Sequence, residues 1–235
     1  MAPPVAPIAR PLAAALAAFT AWVALACAGG PHRGDPDLVD LAGVAPSIAL
    51  DIRYAGSDNF VGAPVDGYGA PRCWLTRPAA EALALVQRDL ASEGLGLLVY
   101  DCYRPQRAVD HFVRWAADPT DLATKAEHYP NVAKDRLFAE GYVAARSSHS
   151  RGSTVDLTLV RRADGEPLDM GSPWDFFDPL SHGDSRAVSR QARSHRMRLR
   201  AVMDRHGFEP YEPEWWHFTL RDEPFPDRYR DVPIR

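Results

Sequence analysis

Apolar positions along the chain repeat at two spacings, one helical and one extended, and their alternation sets an order of elements. In TRPAAEALALVQRDLASEG, Leu83, Val86 and Leu90 share one helical face. Thr76 stands as an N-cap, Pro78 lies in the first turn and Gly94 closes the segment, which predicts a helix over 76–94. GLLVYDCYRP (96–105) reads as a short apolar strand that stops at Pro105. PQRAVDHFVRWAADP follows as a helix with Val109, Phe112, Val113 and Ala116 inward. STVDLTLV (153–160) and EWWHFTL (214–220) read as strands, and a helix over about 186–206 turns Leu199, Val202 and Met203 inward before Gly207 caps it. The arginines of that helix fall on its outer face, where an amphipathic spacing favours a solvated surface over an anion site.

Between these segments the pattern is weaker. An extended segment is expected over 41–54, then a long Gly- and Pro-rich loop over 55–73 whose Phe60 and Tyr68 argue against disorder. A helix is expected around 132–140, and a loop from Arg161 to His182. Helices and strands without a regular βαβ alternation imply an α+β fold, one domain over 41–235, with no internal repeats.

The N-terminus departs from this pattern. One positive charge, Arg10, precedes an Ala-rich apolar run from Leu12 to Ala26, and small residues then give way to PHRGDPD. That is the layout of a secretory signal peptide over 1–27, which implies an exported protein of a bacterium. ALAC also resembles a lipoprotein signal with Cys27 as the lipidated residue, though Ala24 stands where Leu is preferred. Plain cleavage near Ala26 or Ala28 is the alternative. Export would place the protein in the periplasm, or tether it to a membrane through that lipid alone. Residues 28–40, rich in Gly, Pro and Asp, read as a linker.

Composition narrows the function classes. With 46% apolar and 25% charged residues the chain can bury a full core, and a net charge of −4 gives no reason to expect a nucleic-acid partner or an anionic membrane surface. Cys73 and Cys102 remain as a pair beyond the leader. In an exported protein they are candidates for a disulfide, with two buried free thiols as the alternative.

The candidate chemistry sits in three segments. SSHSRGSTVDLTL (147–159) puts His149 and Asp156 on either side of Gly152, and EPEWWHF holds His217 in an aromatic run. Histidine and carboxylate beside apolar strands are costly unless paired or coordinated, and zinc in a hydrolytic site takes three such ligands. Taken singly, each reads more simply as a satisfied core residue. Glu214, three residues before His217, reads by itself as a solvated carboxylate; beside a metal it is a general base. Arg104 in DCYRP is either an oxyanion-stabilising group or an ion-pair partner of Asp101.

Together these segments resemble the D-alanyl-D-alanine dipeptidases (the VanX type), zinc peptidases of a group that includes the D,D-carboxypeptidases and the Hedgehog-like metal fold. The group's pattern is S-x-H-x-x-G-x-A-x-D followed by E-x-x-H. Ser147, His149, Gly152, Asp156, Glu214 and His217 match it, and Thr154 stands at the alanine position. DIRYAGSDNFVG, YRPQRAV and LDMGSPWDFFDPLSH extend the likeness over most of 41–230. The resemblance implies a central, mostly antiparallel sheet flanked by helices and one zinc ion held by His149, Asp156 and His217. It also implies Glu214 as general base and acid, Arg104 on the tetrahedral intermediate, and a closed cavity for a dipeptide. Asp175 is the best match for the group that meets the substrate ammonium, with Ser147 and Asp101 near the site. Two other readings are a D,D- or L,D-carboxypeptidase acting on peptidoglycan stem peptides and a zinc-stabilised binding module without turnover. Export favours scavenging of wall-derived dipeptide over removal of a cytoplasmic precursor.

Overall fold

The computed structural model describes Met1 and residues 35–235; the leader and Cys27 lie outside the described residues. In chain order the strands are β1 (Leu38–Asp40), β2 (Ala49–Leu50), β3 (Trp74–Thr76), β4 (Leu95–Asp101), β5 (Thr154–Arg161), β6 (Phe208–Tyr211) and β7 (Glu214–Leu220). The helices are α1 (Leu41–Val44), α2 (Arg77–Ala91), α3 (Gln106–Ala117), α4 (Lys125–His128) and α5 (Arg190–Arg205). A central sheet runs in the order β2-β4-β5-β7-β6. Its pairings are antiparallel except for the parallel β2–β4 edge, as expected for an α+β fold.

Strand β5 carries the sheet. Every residue from Thr154 to Val160 is buried, which alternation explains only if both faces are covered. Val155, Leu157 and Leu159 fill one face, and Thr154, Asp156 and Thr158 point to the other. Helix α2 buries Ala79, Ala80, Leu83, Val86 and Leu90, and α5 buries Leu199, Val202 and Met203, so the apolar stripes read from sequence are the packed ones. Helix α3 buries Val109, Phe112 and Ala116 as expected, together with Trp115, while Val113 is only half-buried.

Several expectations need correction. The linker over 28–40 is too long: Leu38–Asp40 is a strand paired antiparallel with β3, and Asp35 is buried against the Arg230 guanidinium at 2.8 Å. The extended segment over 41–54 breaks into α1, β2 and a 3₁₀ turn at Arg53–Ala55, because the Asp40 carboxylate caps the Ala42 N–H and starts a helical turn. The helix around 132–140 reduces to a 3₁₀ turn, Lys134–Arg136. The last long helix begins at Arg190, where Ser189 Oγ accepts the Ala192 N–H, rather than near 186. Strand β6 was missed, since Pro210 interrupts its short run.

Cys73 and Cys102 form a disulfide with Cα atoms 5.2 Å apart. It joins the start of β3 to the end of β4, and both sulfurs are buried. A second tie runs beside it, from the Tyr103 N–H to the Trp74 carbonyl.

Candidate active site

Sheet register assembles the site. Asp156 on β5 stands directly opposite Asp101 on β4 and His217 on β7, so three ionisable side chains form one row across adjacent strands. His149 arrives from a different direction, on a 3₁₀ turn (Ser148–Arg151) that leads into β5. Gly152 ends that turn at φ 88°, in the left-handed region, and a Cβ there would come within 2.6 Å of Leu38. This turn folds His149 back over Asp156.

His149 Nε2, Asp156 Oδ1 and His217 Nδ1 converge with separations of 3.2, 3.1 and 3.3 Å. A tetrahedral ion with bonds of about 2.0–2.1 Å holds its ligand atoms roughly 3.3 Å apart, so the donor set fits zinc in both chemistry and spacing. Asp156 Oδ1 is buried and accepts no hydrogen bond, an orphaned acceptor that a cation would satisfy. The other ring nitrogens are held from behind: His149 Nδ1 donates to the Cys102 carbonyl at 2.6 Å, and His217 Nε2 lies 3.3 Å from Ser148 Oγ. Such outer hydrogen bonds fix which nitrogen faces the ion. Burial favours a raised Asp156 pKa, but the flanking His149 and His217 rings outweigh it and hold the carboxyl well below its usual range. Burial lowers His217, keeping its imidazole neutral as a ligand must be.

Glu214 Oε2 lies 3.5 Å from His217 Nδ1. A three-residue offset would put the two on opposite faces of a regular strand. Here the β6–β7 register shifts between Pro210 and Tyr211: Pro210 pairs with Phe218 and Tyr211 already with Glu214. The bulge lets both side chains turn to one site. Burial, then the charges of Asp156 and Asp175, push the Glu214 carboxyl well above the usual range.

Arg104 forms the ion pair with Asp101 and also faces the cavity. Its Nε and Nη2 bind Asp101 Oδ2 at 2.9 and 2.8 Å, and Nη2 lies 3.6 Å from Asp156 Oδ2. Its guanidinium lies 5.1 Å from the ring centroids of Tyr54 and Phe112, and it lines the cavity with Glu214 and His217. Asp101 does not line that cavity. Its carboxylate is fully buried, taken up by Arg104 and by the Tyr68 hydroxyl at 2.6 Å.

The cavity holds about 360 Å³. Ser147 lines it, its Oγ accepting the His149 N–H at 3.3 Å. Asp175 lines it too, buried and with φ 55°, a left-handed backbone that a non-glycine residue adopts at a cost. Burial and the Asp156 charge push its carboxyl well up, against the Tyr54 hydroxyl that donates to it at 2.7 Å. Sequence reasoning missed Tyr54, Tyr68 and Ser148. Tyr54 directly precedes, and Tyr68 lies within, a loop whose Gly and Pro content masked them as ordinary loop aromatics, and only their buried hydroxyls mark a role.

A family model described as D-ala-D-ala dipeptidase, in the M15 peptidases, matches residues 35–235. A D-alanyl-D-alanine dipeptidase of Streptomyces coelicolor is 51% identical over 187 residues, covering 80% of this chain and 93% of that protein. One of Enterococcus faecium is 46% identical over 192 residues, covering 82% and 95%. One of Escherichia coli K12 is 36% identical over 184 residues, covering 78% and 84%. A family match over residues 35–235 and relatives up to 51% identical, with this site in the matched region, give the assignment: the chain is a member of the D-Ala-D-Ala dipeptidase family of M15 metallopeptidases.

Proposed function

We propose that this protein hydrolyses D-alanyl-D-alanine to two D-alanines, with one zinc ion held by His149, Asp156 and His217. The observation that carries it is the convergence of three ligand atoms at 3.1–3.3 Å with Glu214 beside them on a cavity of dipeptide size. Zinc in that site supplies a Lewis acid that lowers the pKa of water to about 7 and polarises a carbonyl.

The remaining work falls to side chains. Glu214, on the cavity and 3.5 Å from His217 Nδ1, takes the proton of the attacking water and hands it to the departing amine. Arg104, held by Asp101 and two aromatic rings, faces the oxygen on which negative charge develops. Asp175 receives the substrate ammonium, and Ser147 lies on the same wall. The leader over 1–27 supports export to the periplasm, with Cys27 a candidate lipid anchor. There the enzyme would recover dipeptide released during wall turnover.

The test is metal content measured together with D-alanine release from D-Ala-D-Ala and from a pentapeptide stem. The dipeptide should be preferred; preference for the pentapeptide would make the protein a carboxypeptidase, and bound zinc without turnover a binding module. Glu214→Ala should retain zinc and lose kcat by at least ~10²-fold, in line with loss of general base catalysis. A fully active variant removes Glu214 from the reaction.

A further inference from the structure

A zwitterionic dipeptide brings an ammonium and a carboxylate, and both need a partner once the cavity excludes water. Two cations line that cavity, Arg104 and Arg146. Arg104 is already engaged by Asp101 and stands beside Asp156. Arg146 differs on each count. It is exposed at the cavity rim, and among the described residues no carboxylate lies within ion-pair distance of it. Its guanidinium lies 5.1 Å from the centroid of the Tyr229 ring, which restricts where the fork can point while leaving its N–H donors free. It also directly precedes Ser147 and Ser148, whose residues line the same cavity.

We propose that Arg146 receives the free C-terminal carboxylate of the dipeptide and thereby sets specificity for a substrate that ends there. The inference rests on the dipeptidase reading above. It gives the cavity a direction. The deep end is acidic, with Asp175 and Tyr54 buried, and Arg146 stands at the mouth, where the exposed Glu209 also lies. The ammonium enters first and the carboxylate stays at the rim. A peptide extended at its N-terminus runs into the buried Asp175 and Tyr54. One extended at its C-terminus presents a neutral amide to Arg146 and forfeits a charge-assisted, fork-shaped contact. The two ends of the substrate are thus selected by different physics, shape at one and charge at the other.

Steady-state D-alanine release from D-Ala-D-Ala and from D-alanyl-D-alaninamide tests this in the zinc-loaded wild type, Arg146→Gln and Arg146→Lys. The wild type should favour the dipeptide over its amide by about five-fold or more in kcat/KM, the range of a partly exposed charge-assisted contact. Arg146→Gln should raise KM for the dipeptide by a similar factor, bring it to the level of the amide, and move the amide by less than two-fold. Arg146→Lys should restore most of the preference. A KM that rises equally for both substrates, or that stays within two-fold of wild type for the dipeptide, overturns the assignment of Arg146 alone. A wild type that releases no D-alanine from the dipeptide overturns the dipeptidase reading and this inference with it.

Discussion

Asp156 shows how much a single residue can announce. A carboxylate in a strand buried from Thr154 to Val160 costs too much to stand without a cation, and the chemistry of its neighbours can be read from residue type alone. Tyr54, Tyr68 and Ser148 could not be found that way, because a hydroxyl gains its role only from what it reaches, Asp175 and Asp101 for the two tyrosines. Arg104 lies between these cases: its ion pair with Asp101 was expected as a rival to a catalytic role, yet the same pair holds it at the cavity. His128 supports the site from behind, its buried Nδ1 bonded to the Asp175 carbonyl at 3.0 Å. Burial lowers its pKa below the ordinary 6.5, outweighing that hydrogen bond, which acts to raise it. The unfolded chain therefore takes up a proton that the folded chain refuses, and stability falls as pH drops below roughly 7, through the unfolded pKa near 6.5. Urea unfolding at pH 7.5 and 5.5 should show a smaller loss for His128→Gln than for wild type. An equal loss in both proteins would mean that His128 does not carry this pH dependence.

The elements were legible where one periodicity ran unbroken. Helices α2 and α3 and strands β5 and β7 were found within a few residues because their apolar spacing is continuous. Strands β1 and β2 and the turns around them were not, since two- and three-residue strands hold too few positions for a period to show. The β6–β7 bulge was hidden for another reason: alternation alone places Glu214 and His217 on opposite faces, and the shift that unites them is a property of the pairing. Two local devices fix how these elements meet. At Gly152 the left-handed φ and the close approach of Leu38 both oppose a side chain, so Gly152→Ala should cost about 1–2 kcal/mol or more and loosen His149. Chemical denaturation and zinc affinity would report the two effects separately, and an unchanged midpoint would show that the turn relaxes freely. The Cys73–Cys102 bridge closes a separation of 29 residues, for which chain entropy gives roughly 3–4 kcal/mol. Replacing both cysteines with serine should lower the unfolding free energy by up to about that amount. It should also weaken zinc binding, because the Cys102 carbonyl that orients His149 is anchored by the bridge. A double variant as stable as wild type would place the corner's rigidity in the Tyr103–Trp74 backbone tie instead.

At the scale of the whole molecule, the site and the fold depend on one another. The three candidate ligands come from the 3₁₀ turn, β5 and β7, so an ion there ties together segments up to 68 residues apart. Without it, the folded chain must keep the Asp156 carboxylate buried with one oxygen unsatisfied between two imidazole rings. The unfolded chain offers no such preformed donor set, so metal binding should appear almost wholly as folding stability. For a ligand at a thousand times its Kd, mass action gives about 4 kcal/mol. In a domain of this size each kcal/mol moves Tm by roughly 2–4 °C. Zinc-loaded protein should therefore melt roughly 8–16 °C above chelator-treated protein. His217→Ala removes a ligand whose side chain sits at the cavity rather than deep in the core, so it should fold while losing most of that increment. Calorimetry of both proteins with and without zinc decides the matter. An increment that survives in His217→Ala would move the ion elsewhere, and an increment absent from both would mean that this site binds no metal at the concentrations used.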